Sequence, residues 1–307
     1  MNEKIKHHLA KNYIDLVNLL SKPIKLKALE GCWVIINFHQ VSDNFIDGIH
    51  NKGTWTPTNV FEDTIENINK KYGFVSLSEG IDLLRNNQIG KKTLFSLTFD
   101  DGDISILDKA LPFLIKNSIP AALFINSAYL TNDRQNWARA FNYLEQYHPD
   151  IIKKQNLKNE FLALRNSSNI EAYNTISRKI DSIFGQLNDK PKFTIDFKTL
   201  QGLDINLCTI GLHSNEHHRL SMLTYIEQKK DIEINIKILS ELPHYKPYWA
   251  IPFGIEHDWN RDTIKIAIEN DLNLFFHAGG VNRSFNELGL NRIPCDNKTF
   301  KDILQII

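Results

Sequence analysis

Short apolar runs that each end on a polar residue, separated by stretches of helical length, constrain this chain more than any other feature. Cys32 to Phe38, Leu94 to Phe99, Ala121 to Ile125, Leu207 to Leu212, Tyr248 to Ile251 and Leu272 to Phe276 have strand length and strand composition. Helical patterns lie between them at Thr58 to Tyr72, Ser78 to Asn86, Ile104 to Asn117, Thr224 to Leu239 and Arg261 to Asn270, and a further strand is expected over Phe74 to Leu77. Apolar strands alternating with helices predict an α/β fold with a parallel sheet and helical crossovers. Barrels of this kind gather functional groups at the C-terminal ends of their strands. Here His39, the pair Asp100-Asp101 and His213 each follow a run directly.

Two segments fall outside the alternation. Residues 1–30 form an N-terminal extension in which Ile5, Leu9, Tyr13, Leu16 and Leu20 recur at helical spacing. This helix is expected to pack on the main body, or else to lie on a membrane surface as a peripheral contact. Asp15 and Asn18 interrupt what would be the apolar heart of an export signal, and no run is long enough to cross a bilayer. A cytoplasmic location, at most peripheral at the inner membrane face, is the expectation. From Thr131 to about Thr199 the chain is rich in Asn, Lys, Glu and Gln, with helical patterns around Trp137 to Tyr147 and Ala172 to Phe184. Its few large apolar residues predict a helical insertion that shapes the rim of a cleft, not a domain with its own core.

Composition excludes some roles. Lys plus Arg balance Asp plus Glu at 36 each, so there is no basic footprint for nucleic acid. Cys32, Cys208 and Cys295 are odd in number and far apart, which implies no disulfide framework. No protein partner is predicted.

The stretch Thr98-Phe99-Asp100-Asp101-Gly102 carries the chemistry. Neighbouring strand residues face opposite ways, so two adjacent acids share an outlook only if the strand breaks, and Gly102 supplies a break. One acid can then hold a metal while the other faces a substrate. Two buried carboxylates side by side call for a cation or a shared proton. A helix N-cap role for Asp101 or Asp103 also fits this stretch. Further on, His213-Ser214-Asn215-Glu216-His217 follows Ile210-Gly211-Leu212, and histidines four apart on a helical turn reach one cation together. Asp101, His213 and His217 would make a two-His, one-carboxylate site with positions left for water and substrate, as catalytic zinc requires. The same ligand set serves iron oxygenases. Read as His-x-x-Glu-His, the segment also spells the inverted zinc-peptidase pattern with Glu216 as general base, provided it lies in a long helix.

Together, these two motifs, with Leu220-Ser221 after the second, resemble those of the polysaccharide deacetylase family, the NodB-homology or carbohydrate esterase family 4 proteins. Trp249-Ala250-Ile251-Pro252-Phe253-Gly254 looks like the family's third motif, and Asn291-Arg292-Ile293-Pro294 is similar to its closing segment. The likeness covers about residues 31–307. It implies a distorted (β/α) barrel of about seven parallel strands and metal-dependent hydrolysis of an acetamido group on a sugar. By motif position, Asp101, His213 and His217 would bind a divalent metal, usually zinc, and Asp100 would be the general base. Phe253, after Pro252, best matches the residue whose backbone N–H meets the oxyanion. Two departures stand out. The arginine usual before the third motif is missing, and so is the late Leu-x-His that supplies the general acid. A permuted subgroup carries that histidine near its N-terminus in a strand ending Tyr-His. Ile36-Asn37-Phe38-His39 resembles this version, which makes His39 the acid and His277 the reserve.

Trp55, Trp137, Trp249, Trp259 and Tyr248 offer aromatic faces to a sugar, Trp249 beside the presumed site and Trp137 in the insertion. The expected substrate is a GlcNAc-like N-acyl sugar on a lipid, nucleotide or oligosaccharide. The alternatives are a non-catalytic metal-containing carbohydrate-binding barrel and the zinc peptidase of His213, Glu216 and His217.

Overall fold

The structure, a computed structural model, describes residues 29–130, 134–165, 170–204, 206–277 and 279–307. The expected N-terminal helix lies outside the described residues. Among the described residues no helix is long and apolar enough to cross a membrane.

Eight strands form one all-parallel sheet. In spatial order they are β10 (Ile293–Pro294), β1 (Cys32–Phe38), β4 (Thr93–Phe99), β5 (Ala121–Ile125), β6 (Cys208–Leu212), β7 (Tyr245–Ala250), β8 (Asn273–Phe276) and β9 (Leu290–Asn291). The two edge strands, β9 and β10, are consecutive in sequence with Arg292 alone between them. The sheet therefore curls until its first and last edges are joined by one residue, a nearly closed barrel. Two short strands, β2 (Gln40–Ser42) and β3 (Trp55–Pro57), pair beside its mouth. Four of these strands are two or three residues long, too short for a periodic signal, and the sequence did not announce them.

Period-two alternation sorts the side chains into two layers. Val34, Ile36 and Phe38 of β1, Leu123 and Ile125 of β5, and Leu274 and Phe276 of β8 face outward into one apolar cluster. They meet α1 (Thr58–Lys71), α4 (Ala110–Lys116), α10 (Tyr225–Leu239), α11 (Arg261–Glu269) and α12 (Phe300–Ile306) there. Trp33 and Ile35, Ala122 and Phe124, Tyr248 and Ala250, and Phe275 face inward with Leu290, and α2 (Leu77–Arg85) closes that cluster below. A Cβ on Gly80 of α2 would lie 2.3 Å from the Trp33 ring, so only glycine lets the helix sit on this floor. Above the floor the same inward positions turn polar, with Asn37, Thr98 and Arg292 buried.

Phe74 makes only an isolated bridge to Phe95, and no strand forms over Phe74 to Leu77. The helix expected from Ile104 to Asn117 is two, α3 (Ser105–Asp108) and α4, broken at Lys109. The region after β5 contains α5 (Trp137–Tyr147), α6 (Pro149–Lys154), α7 (Leu157–Arg165), α8 (Ile170–Gly185) and α9 (Phe197–Gln201). Contrary to the expectation that it lacks the material for a core, it has a small one: Phe141, Leu144, Ile152, Leu157, Ile180, Phe184 and Phe193 are buried together. The three cysteines are free and buried.

Candidate metal centre and catalytic cavity

β4, β6 and β7 each end by turning the backbone into the left-handed region at a residue other than glycine: Asp101 (φ 66°), Ser214 and His217 (57° and 55°), and Phe253 (61°). Such conformations are strained for side-chain-bearing residues and cluster where a site over-determines them. Each turn aims the next groups at the barrel mouth. The β6–β7 register shifts between Ile210 and Leu212, where a Cβ on Gly211 would meet the Phe124 ring at 2.6 Å. His213, two residues beyond the inward-facing Gly211, continues the alternation of β6 and faces inward.

The expected trio comes together. One ligand atom from each of Asp101, His213 and His217 lies within 4.8 Å of the others. His213 Nε2 and His217 Nε2 stand 3.5 and 3.3 Å from Asp101 Oδ1. His213 donates from Nδ1 to the Ala250 carbonyl at 2.8 Å, which leaves its Nε2 lone pair facing the aspartate. Asp101 Oδ1 is buried with no hydrogen-bond donor among the described residues. Burial foremost holds His217 down at about 4, against the pull of Asp101, so its imidazole is neutral at ordinary pH. Two converging imidazole nitrogens and an unpartnered buried carboxylate oxygen are what a divalent cation needs. The residues fit a metal ion.

The histidines do not share a helical turn, because His213 to Arg219 is an irregular loop. Their convergence comes from left-handed residues within it and from hydrogen bonds that hold it. Asp231 accepts from the N–H groups of Asn215 (2.8 Å) and Glu216 (3.2 Å), and Asn126 donates to the carbonyls of His213 and Ser214. The peptidase reading required a long helix here. Glu216 instead bonds Arg134 at 2.9 Å and is no member of the ligand trio.

Asp100 is fully buried beside the trio. Arg292 grips it with both nitrogens, Nη1 to Oδ1 at 2.7 Å and Nη2 to Oδ2 at 2.8 Å, while Asn37 donates to Oδ2 at 3.1 Å. Burial alone would raise the Asp100 pKa. The guanidinium, with His213 and His277, outweighs burial and holds it well below the usual carboxylate range. Arg292 is therefore the charge that the missing upstream arginine left unexplained. It comes from the residue that closes the barrel, and no spacing in the sequence ties it to position 100.

His39 follows β1 at the mouth. Its backbone N–H and its Nδ1 meet the two Asp296 carboxylate oxygens at 2.9 and 2.8 Å. Burial lowers its pKa, but Asp296, with Asp101 and Asp100 behind it, pushes it up to about 10. Asp296 was not singled out in the sequence. The register that pairs Asn37 with Pro294 would have found it, since two residues on in each strand lie His39 and Asp296. His277 is 3.4 Å from Asp100 Oδ2, and burial and Arg292 lower it to about 4. It is a neutral neighbour of the carboxylate, a poor source of protons compared with His39.

Phe253 is exposed at the rim, its ring 4.7 Å from that of His217, and its N–H has no partner among the described residues. Pro252 is buried beside it and only shapes the turn, its carbonyl accepting from Gly254 at 2.7 Å. Trp249 does not face the site. It alternates with the inward Tyr248 and Ala250, so it is fully buried in the outer layer. Trp259 is also core, whereas Trp137 lines the cavity. The cavity measures about 510 Å³ and takes in His39, Asp100, the trio and His277.

No model of a known protein family matches the sequence, and no curated protein matches it. Solved structures do. A Streptococcus pyogenes deacetylase, PplD, solved in complex with acetate, superposes with a TM-score of 0.62 at 17% identity over 90% of this chain and 97% of that one. A de-N-acetylase from Aggregatibacter actinomycetemcomitans gives 0.61 at 14% identity over 90% and 99%, and a polysaccharide deacetylase from Bacillus cereus gives 0.59 at 10% over 91% and 70%. The fold is that of the polysaccharide deacetylases. The expected distorted (β/α) barrel of about seven parallel strands is present, with eight strands in its sheet.

Proposed function

We propose that this chain is a metal-dependent deacetylase of the polysaccharide deacetylase family, in its permuted subgroup, and that it hydrolyses the N-acetyl or another N-acyl group of a GlcNAc-like sugar. The observation that carries the proposal is the pairing, in one cavity, of a buried carboxylate gripped by Arg292 with a ligand trio on one side and a histidine raised to about 10 on another.

Asp101, His213 and His217 would hold the ion. A divalent metal bound there supplies Lewis acidity toward the acyl oxygen and lowers the pKa of water from about 15.7 to near 7 in the case of zinc. Asp100 Oδ2 accepts a proton from the attacking water, and Arg292 and Asn37 keep that carboxylate ionised and aimed. The unpartnered N–H of Phe253 offers a donor to the developing oxyanion, a type of contact worth roughly 2.7–4 kcal/mol in other enzymes. His39, protonated and oriented by Asp296, passes its proton to the departing amine. Acetate and a free sugar amine result.

The test is elemental analysis combined with acetate and formate release from a panel of N-acylated sugars, for wild type and Asp100→Asn. The proposal expects one divalent ion per chain and at least a hundredfold loss of turnover in the variant with its metal retained. Equal turnover by both proteins would remove Asp100 as the base. Sugar binding with no turnover in wild type would favour the non-catalytic alternative.

A further inference from the structure

The helical insertion is fastened across the barrel mouth at both ends. On one side α5 is tied to the loop after β2: Tyr147 Oη donates to the Asp47 carbonyl at 3.0 Å, and Arg139 donates to the Ile49 carbonyl at 2.5 Å and pairs with Asp103. On the other side the insertion is tied to the histidine loop after β6. His218 Nε2 lies 3.1 Å from Asn174 Oδ1 of α8, and Arg134 joins Glu216 at 2.9 Å to Asp181 of α8 at 3.5 Å. The half of the cavity beyond the ligand trio is thus bounded by a wall, where an open groove would let a chain run through. Asn136, Trp137, Arg139, Asn142 and Tyr173 line it.

The chemistry of this wall selects among ligands. Trp137 donates from Nε1 to Tyr173 Oη at 2.6 Å, and the two rings stand edge to face at 4.9 Å, so the indole is fixed in place. The cations on the cavity surface are already matched: Arg139 with Asp103, Arg219 with Asp258 at 2.8 Å, and His39 with Asp296 at 2.8 Å. A phosphate entering here meets no unpaired cation among the described lining residues. A fixed aromatic face with side-chain amides beside it suits an uncharged pyranose, which offers C–H groups on its flat side and hydroxyls around its edge. At about 510 Å³ the cavity lies within the range of roughly 300–1,000 Å³ that holds a drug-sized ligand, enough for more than one ring.

Resting on the deacetylase reading, we propose that the insertion builds a subsite for one neutral sugar ring beside the reacting one, and that its wall confines the reaction to the end of a glycan chain. The test gives zinc-loaded enzyme N-acetylglucosamine, its β-1,4-linked di-, tri- and tetrasaccharides, and the nucleotide-diphosphate-linked monosaccharide. Acetate release is timed, and the freed amine is located by tandem mass spectrometry. The proposal expects kcat/KM to rise roughly 3- to 10-fold from mono- to disaccharide and then level off. The free amine should appear on a terminal ring only, and the nucleotide-linked sugar should gain nothing over the free one. Trp137→Ala should collapse the disaccharide-to-monosaccharide ratio and Trp137→Phe should keep most of it. Asn142→Ala, which leaves the indole in place, should also lower the ratio if Trp137→Ala fails to fold. Deacetylation of internal rings, preference for the nucleotide-linked sugar, or an unchanged ratio in both alanine variants overturns the proposal. A calorimetric titration of Asp100→Asn with disaccharide, with and without Trp137→Ala, separates the two levels. Trp137-dependent binding with no turnover by wild type keeps the subsite and sinks the catalytic reading. Turnover without Trp137 dependence sinks the subsite alone, and absence of both binding and turnover sinks both.

Discussion

Replacing Arg292 by Met tests whether one residue both closes the barrel and sets the charge of the site. Arg292 is fully buried, with both terminal nitrogens on Asp100 at 2.7 and 2.8 Å and further contacts from Nη1 to Asn37 and Thr98 at 3.0 and 3.3 Å. Methionine fills a similar length of barrel but leaves Asp100 buried without its guanidinium partner, with Asn37 and His277 beside it. Breaking a buried pair from one side costs about 3–5 kcal/mol, a third or more of the stability of an ordinary domain. With a urea slope near 3 kcal/mol/M, the midpoint should fall by roughly 1–2 M, measured by circular dichroism in the presence of chelator. The pH dependence should also weaken. In the wild type the Asp100 pKa lies well below its ordinary 3.8, so its stabilisation is fully present above that value and is lost as pH falls through the lower folded value. In Arg292→Met, burial loses its largest counterweight, with His213, His277 and Asn37 left to oppose it, and the folded pKa rises. The variant should then lose less stability on acidification than the wild type does. Adding Asp100→Asn to Arg292→Met should recover most of the loss, since no buried charge is then left alone. A single variant within about 1 kcal/mol of wild type, or strictly additive effects in the double variant, would refute the coupling.

Four further outcomes follow from the same geometry. Asp296→Asn should lower the pKa of His39 from about 10 toward its ordinary 6.5, which moves the alkaline limb of the kcat/KM profile to lower pH; a limb that stays put removes His39 as the acid. The stability lost with that pair should be greatest below pH 6.5 and should vanish as pH rises through about 10, as urea midpoints across pH would show. Asp231→Ala, which frees the N–H groups of Asn215 and Glu216, should weaken zinc binding roughly 10–100-fold by competition with a chromophoric chelator, and unchanged affinity would mean the loop holds itself. Glu216→Gln should keep activity on N-acetylated sugars within about threefold, because Glu216 faces Arg134 and not the ligand trio; a loss as large as that of Asp100→Asn would revive a catalytic role for it.

What the sequence revealed followed from periodicity and from local motifs. The long buried strands and their helices were legible because a parallel barrel needs continuous apolar runs; Asp101 and His213 were legible because they follow such runs, and His217 by its spacing from His213. What it hid was of three kinds. Side-chain facing failed at Trp249, where proximity to the third motif suggested a role in the site, yet a one-residue step along β7 decides between mouth and core. Long-range pairing failed at Arg292 and Asp296, which act on residues 192 and 257 positions away along the chain. The histidine loop shows a third effect. Its spacing matched a helical turn, but the ligands converge through left-handed residues and borrowed hydrogen bonds, which no period records.

That convergence has an energetic consequence for how the site and the fold depend on each other. Asp101, Ser214, His217 and Phe253 each sit in a conformation costing of order 1–3 kcal/mol, so the mouth of the barrel stores strain comparable to a good part of a domain's net stability. Strain of this size persists only where surrounding bonds forbid relaxation. Here they come from elements that also hold the barrel together: Asn126 at the end of β5, Asp231 from α10, and the Ala250 carbonyl at the end of β7. On the opposite wall Arg292 joins the two sheet edges and fixes Asp100 in one stroke. The trio and Asp100 are therefore positioned by the closure of the barrel itself, so variation that loosens closure disturbs their geometry before it unfolds the chain.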